Sequence, residues 1–86
     1  MTTINTSISR AWVKIAESSD EGLLVTWAEP ETVEFATTAA DAAPTVIGHA
    51  LTSKDAITRA VLGAGYVWAR AVSVDIGANV LLVVSK

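Results

Sequence analysis

The chain has 86 residues, of which 51% are hydrophobic and 17% are charged, and it contains no cysteine. A domain of this size buries a small fraction of its surface, and the lack of cysteine excludes a disulfide framework and, with a single histidine, argues against a structural zinc site. Nine acidic residues against six scattered basic ones, a net charge of −3, provide no basic patch for nucleic acid or for an anionic membrane surface.

The hydropathy of the chain indicates more apolar surface than a domain of this length can bury on its own. The mean hydropathy of +0.45 is high for a monomer, yet no apolar run approaches the roughly 18 residues of a membrane-spanning helix. The polar N-terminus lacks the pattern of a secretory signal, so we expect synthesis in a cytoplasm. Association with other subunits is the expected source of reinforcement.

The first nine residues are rich in Thr, Ser and Asn without clear periodicity. This composition predicts a flexible N-terminal arm over residues 1–9 that orders only against a partner, followed by one domain over residues 10–86. In the next segment, residues 10–16 alternate as a strand, with Trp12 and Lys14 on one side. A polar turn over 17–22 leads to a second strand over 23–28, and the two strands are expected to form a hairpin.

The middle of the chain contains the clearest alternation, at residues 32–37, where Val33 and Phe35 face away from Glu34. Another strand is predicted over 45–51, in which Gly48 indicates a bulge or a close backbone approach. Residues 53–62 fit either a short helix capped by Ser53 or a strand, and the strand-rich surroundings favour extended structure.

Two further strands complete the pattern. Gly63-Ala64-Gly65 predicts a hairpin turn that uses positive φ, and strands follow over 66–72 and 78–85. About seven short strands at this spacing predict an all-β fold, a small antiparallel β-sandwich or barrel. The last strand is apolar on both sides, since Val80 and Leu82 point one way and Leu81 and Val83 the other, so it is expected to need cover from another chain.

Few residues suggest chemistry. Trp12, Trp27 and Trp68 would suit a sugar-binding surface, but core filling or a subunit contact with arginine stems packed over the rings is the favoured interpretation. His49 has no recognisable catalytic partner, and a structural role is expected for it. The acidic residues lack calcium-loop spacing and are expected to form a solvated edge; they are Asp20, Glu21, Glu29, Glu31 and Glu34. No cofactor and no metal is predicted.

Residues 11–86 contain an early Trp-bearing strand, an Ala-Pro-Thr step at 43–45, Gly-His-x-Leu at 48–51, Gly-x-Gly-Tyr-Val-Trp-Ala-Arg at 63–70 and an apolar terminal strand. In this pattern the chain resembles small accessory proteins of tailed-phage virions. The resemblance implies a β-rich virion component: a head-decoration or cement protein, or a head-fibre or tail-associated subunit.

These observations lead to a functional expectation. The chain is predicted to be a non-enzymatic capsid-decoration protein of the virion that contacts a major capsid or other virion protein and self-associates, as a symmetric trimer on a capsid. The alternative is a glycan-binding or surface-binding module that uses the tryptophan-bearing face. The residues predicted to make the contacts are Trp12, Trp68, Arg70, Val80, Leu81, Leu82 and Val83.

Overall fold

The computed structural model describes residues 3–27, 32–45, 48–52, 57–72 and 80–86. These residues form short strands and one four-residue helical turn. In chain order the elements are β1 (Thr3–Ile8), β2 (Val13–Ala16), β3 (Leu24–Trp27), β4 (Thr32–Thr38), β5 (His49–Thr52), β6 (Ile57–Thr58), α1 (Arg59–Leu62), β7 (Tyr66–Ala71) and β8 (Val80–Ser85).

The strands form two four-stranded sheets in which every pairing is antiparallel. We call the sheet with strand order β1-β8-β3-β6 sheet I, and the sheet with order β2-β7-β4-β5 sheet II. The predicted all-β antiparallel sandwich is confirmed. Its origin is the alternation of apolar and polar residues along most of the strands, which gives each sheet an apolar inner side.

The core lies between the inner sides of the two sheets. Trp27 from sheet I and Phe35 from sheet II are its largest buried aromatic residues, and their ring centroids lie 5.5 Å apart at a tilt of 47°. The other fully or nearly fully buried apolar residues are Ile8, Ile15, Ala16, Leu23, Val25, Val33, Val67, Ala69, Ala71, Val80, Leu82 and Val84.

Residues 3–8 form a strand, which corrects the prediction of a flexible arm over residues 1–9 for this part of it; residues 1–2 lie outside the described residues. β1 pairs with β8 along its whole length, from Thr3 opposite Ser85 to Ile8 opposite Val80. An edge strand needs only one apolar side, and Ile8, which is completely buried, shows that β1 has one. The polar composition hid this alternation, because the other inward positions are Ile4 and Thr6.

The hairpin predicted for the strands over 10–16 and 23–28, which are β2 and β3, is also wrong. β2 pairs with β7 in sheet II, whereas β3 pairs with β8 and β6 in sheet I. The polar turn over 17–22 therefore carries the chain from one sheet to the other. In sheet I, β8 lies in the interior of the sheet, between β1 and β3.

The ambiguous segment 53–62 contains both kinds of structure where it is described. Residues 53–56 lie outside the described residues, Ile57–Thr58 is extended, and Arg59–Leu62 is helical. The predicted positive φ is found at Gly63 (89°) and Gly65 (112°). These glycines do not close a hairpin, however, since they connect α1 to β7 and so lead from sheet I to sheet II.

Candidate functional site

The residues predicted to make contacts fall on two opposite surfaces and in the core. Trp12, Trp68 and Arg70 lie on the outer side of sheet II, whereas Leu81 and Val83 lie on the outer side of sheet I. Val80 and Leu82 are buried in the core, which corrects their assignment as contact residues. Because side chains alternate along a strand, one strand cannot offer four consecutive residues to one partner.

The outer side of sheet I carries three exposed apolar residues, and we call this surface the apolar face. Leu81 is 55% exposed, Leu24 is 37% exposed and Val83 is 36% exposed. Val83 lies two residues from Leu81 on β8 and diagonally across from Leu24 on β3, so the three are neighbours. Among the described residues, the register places only uncharged ones around them, namely Thr3, Asn5, Ser7, Thr26, Thr58 and Ser85.

The outer side of sheet II has a different character, because it combines aromatic rings with charges. Glu34 on β4 is only 6% exposed, which corrects the expectation that it belongs to a solvated edge. Its Oε1 accepts hydrogen bonds from Arg70 Nη2 at 2.7 Å, from Arg70 Nε at 3.1 Å and from the Gly48 backbone N–H at 3.0 Å. The Arg70 guanidinium also lies 4.4 Å from the centroid of the Trp12 ring.

The approach of Gly48 to β4 confirms the prediction of close backbone contact. A Cβ added at Gly48 would lie 2.2 Å from the carbonyl oxygen of Phe35. The Trp12 ring also packs against Gly48, since it would lie 3.1 Å from that Cβ. Glu34, Arg70, Trp12 and Gly48 thus form one packed unit, in which the charges are paired and one face of the Trp12 ring is occupied.

The remaining aromatic residues of this surface are also engaged. Trp68 Nε1 donates a hydrogen bond of 2.9 Å to Thr38 Oγ1. Lys14 Nζ lies 2.9 Å from Asp41, 3.0 Å from Glu17 and 5.5 Å from the centroid of the Tyr66 ring. Hydrogen bonds to Asp41 and then to Glu17 raise the pKa of Lys14 above its ordinary value of 10.5.

Sequence reasoning missed one arrangement entirely, the contacts of Arg59. Its Nε donates to the Asp20 carbonyl at 2.9 Å and its Nη2 to the Glu17 carbonyl at 2.6 Å. Its Nη1 donates to the carbonyls of Gly63 at 3.1 Å and Gly65 at 2.8 Å. One side chain therefore ties together two of the connections that cross between the sheets, the one from β2 to β3 and the one from α1 to β7, and only a view of the folded chain could have revealed it.

In the described part of the chain, few side chains are arranged in a way that suggests reaction chemistry. No group of three or more acidic or histidine side chains there could hold a metal ion. The backbone of His49 pairs with Phe35 at the start of β5. A shallow cavity of about 260 Å³ is lined by Arg10, Arg70, Ala71 and Val72.

No helix among the described residues is long and apolar enough to cross a membrane. Comparison of the chain with protein-family models, with curated proteins and with solved structures finds no match.

Proposed function

We propose that this protein is a non-enzymatic structural subunit that assembles with copies of itself through the apolar face of sheet I. The observation that carries the proposal is the group of Leu24, Leu81 and Val83, exposed side by side with uncharged residues as their described neighbours. Contiguous apolar surface rimmed by small polar residues is typical of protein contact sites.

The energetics favour cover by a second subunit. Full burial of a leucine or valine side chain stabilises by roughly 1.5–3 kcal/mol, so covering these partly exposed residues contributes about 1 kcal/mol each per subunit. The chain carries a net charge of −3, and repulsion between copies would oppose contact through a charged surface. Apart from Glu34, which pairs with Arg70, the described acidic residues lie in turns and loops and not on the apolar face; they are Glu17, Asp20, Glu21 and Asp41.

The resemblance to accessory proteins of tailed-phage virions supplies a setting for such a subunit. In that setting the protein decorates and stabilises a phage capsid, and its partner is a major capsid or other virion protein. A compact sandwich with a sticky face suits a repetitive shell, because each subunit repeats the same contact many times. A trimer remains the prediction that follows from this resemblance.

The proposal is tested by the substitution Leu81→Asp, which places a charge in the centre of the apolar face. We expect the wild-type protein to be heavier than the 9.0 kDa of one chain, and the variant to have a lower mass, in light scattering and sedimentation at matched concentrations. Val72→Asp is the control, since Val72 is an apolar residue of similar exposure, 38%, that lies near the shallow cavity instead. A monomeric wild type, or equal masses for wild type and a folded Leu81→Asp variant, contradicts the proposal.

The alternative hypothesis, glycan binding by the tryptophan-bearing surface, has less support. Arg70 covers one face of the Trp12 ring, and the indole N–H of Trp68 donates to Thr38 and so is not free to bond a sugar hydroxyl. Stacking on sugars needs an open ring face. Concentration-dependent quenching of tryptophan fluorescence by oligosaccharides would reverse this ranking.

A further inference from the structure

The edges of the two sheets differ in how they are protected against pairing with another strand. β6 has two residues, β5 has four residues, and β2 has four residues, a charged Lys14 and a register shift between Lys14 and Ala16. Short length, lysine and irregular register are the ordinary means by which proteins protect an edge. β1, the other edge of sheet I, has six residues in regular register with β8 and no charged residue.

The edge of β1 that faces away from β8 is therefore a template for backbone pairing. Its inner neighbour, β8, satisfies only the backbone groups that point toward it, and no described strand lies on the other side. Backbone N–H and C=O groups along such an edge can bond to another extended strand. The side chains of β1 do not prevent this, since they are small or uncharged throughout.

We infer that β1 pairs antiparallel with β1 of a second copy, which joins two copies of sheet I into one continuous eight-stranded sheet. Three features favour a second copy as the partner. An uncharged strand meets its own copy without repulsion, and an antiparallel pair of identical strands obeys a two-fold axis. The pairing also removes an edge that would otherwise invite uncontrolled association.

The exposed Ile4 fits this arrangement. It is 44% exposed although its position opposite Val84 places it on the inner side of sheet I. We consider an antiparallel pair in which the core-facing sides of both copies of sheet I point in the same direction. In this pair, even-numbered residues of β1 lie opposite even-numbered residues of β1 in the copy. Ile4 then gains a neighbouring side chain from the second subunit on that inner side.

This inference rests on the proposed self-assembly and adds a second contact to it. The two-fold axis of the β1 pairing is perpendicular to sheet I, whereas the axis that relates two stacked apolar faces lies parallel to the sheets. Two perpendicular axes that intersect close into a tetramer. The expected assembly is thus two eight-stranded sheets packed through their apolar faces, in place of the trimer implied by the resemblance.

The experiment combines mass with amide hydrogen exchange in three variants of the full chain. Leu81→Asp removes the contact through the apolar face. We therefore expect this variant to be a dimer in which the outward-pointing β1 amides, meaning those that point away from β8, exchange slowly. Adding Ile4→Lys places a charge on the edge, and the expected result is a monomer whose outward-pointing amides exchange rapidly. Thr37→Lys, at an exposed position of β4 in sheet II, is the matched control for the added lysine in the Leu81→Asp background and should leave the dimer intact.

Each alternative result has one meaning. A monomeric Leu81→Asp variant with rapidly exchanging outward-pointing β1 amides overturns the edge pairing and leaves the face contact in place. A wild-type trimer with the same rapid exchange overturns it as well. A Leu81→Asp variant with the wild-type mass and protected β1 amides contradicts the face contact alone. Retention of the Leu81→Asp dimer after Ile4→Lys, with rapidly exchanging β1 amides, places the dimer contact on another surface and overturns the inference.

Discussion

Arg59 provides an internal tie in a chain that has no disulfide. Its guanidinium donates to four backbone carbonyls on two of the connections that cross between the sheets, β2 to β3 and α1 to β7. The planar fork of arginine can serve several acceptors at once, which a lysine ammonium at the end of a flexible stem cannot do in the same geometry. We therefore expect Arg59→Met, which keeps an apolar stem but no donors, to destabilise the fold substantially.

The size of the effect follows from the geometry. A hydrogen bond to a charged group contributes roughly 1.5–3 kcal/mol when it is shielded from water. Two of the four bonds, those to Asp20 and Gly65, are partly buried, so counting only these gives a loss of about 3 kcal/mol. A domain of this length has a total stability of roughly 4–13 kcal/mol. The loss corresponds to a decrease in melting temperature of roughly 12–24 °C.

Urea denaturation followed by tryptophan fluorescence measures this loss, with Lys14→Met as the matched control. Lys14 has the same charge and several partners, but its partners are exposed carboxylates that water and salt screen. We expect Lys14→Met to have a much smaller effect, and Arg59→Lys to lie between wild type and Arg59→Met. Equal midpoints for the Arg59→Met and Lys14→Met variants would refute the reasoning.

Two further predictions concern the outer side of sheet II. Arg70→Ala leaves the buried Glu34 carboxylate with the Gly48 N–H as its remaining described donor, so we expect a loss of about 2–3 kcal/mol in the free energy of unfolding. The double variant Glu34→Gln/Arg70→Ala should recover part of this loss by removing the unpaired charge. Gly48→Ala should cost at least about 2 kcal/mol, because its Cβ would overlap a backbone carbonyl of β4. Gly22→Ala, with nothing within 4 Å of its Cβ, should change stability by less than about 0.5 kcal/mol.

Denaturation midpoints also decide these two predictions. If Arg70→Ala matches wild type, the Glu34 pair contributes no net stability to the fold. Comparable midpoints for the Gly48→Ala and Gly22→Ala variants would mean that the backbone near Gly48 yields easily, contrary to the packed unit described above.

The local pattern of the sequence determined the fold class and most strand positions. Val33 and Phe35 alternate with Glu34, and the structure places the two apolar side chains in the core because a strand presents successive residues to opposite sides. The double-sided apolarity of β8 likewise predicted that Leu81 and Val83 lie on a different surface from Leu82. The positive φ at Gly63 followed from residue type alone.

Strand partnership was decided only by the tertiary structure. Alternation states which side of a strand is buried, but it contains no information about which strand lies alongside, so β2 and β3 were paired wrongly and β1 was missed as an edge strand. The burial of Glu34 and the four bonds of Arg59 depend on residues up to 42 positions apart in the chain. Such contacts arise when the sheets come together, because long-range packing chooses among several locally acceptable pairings.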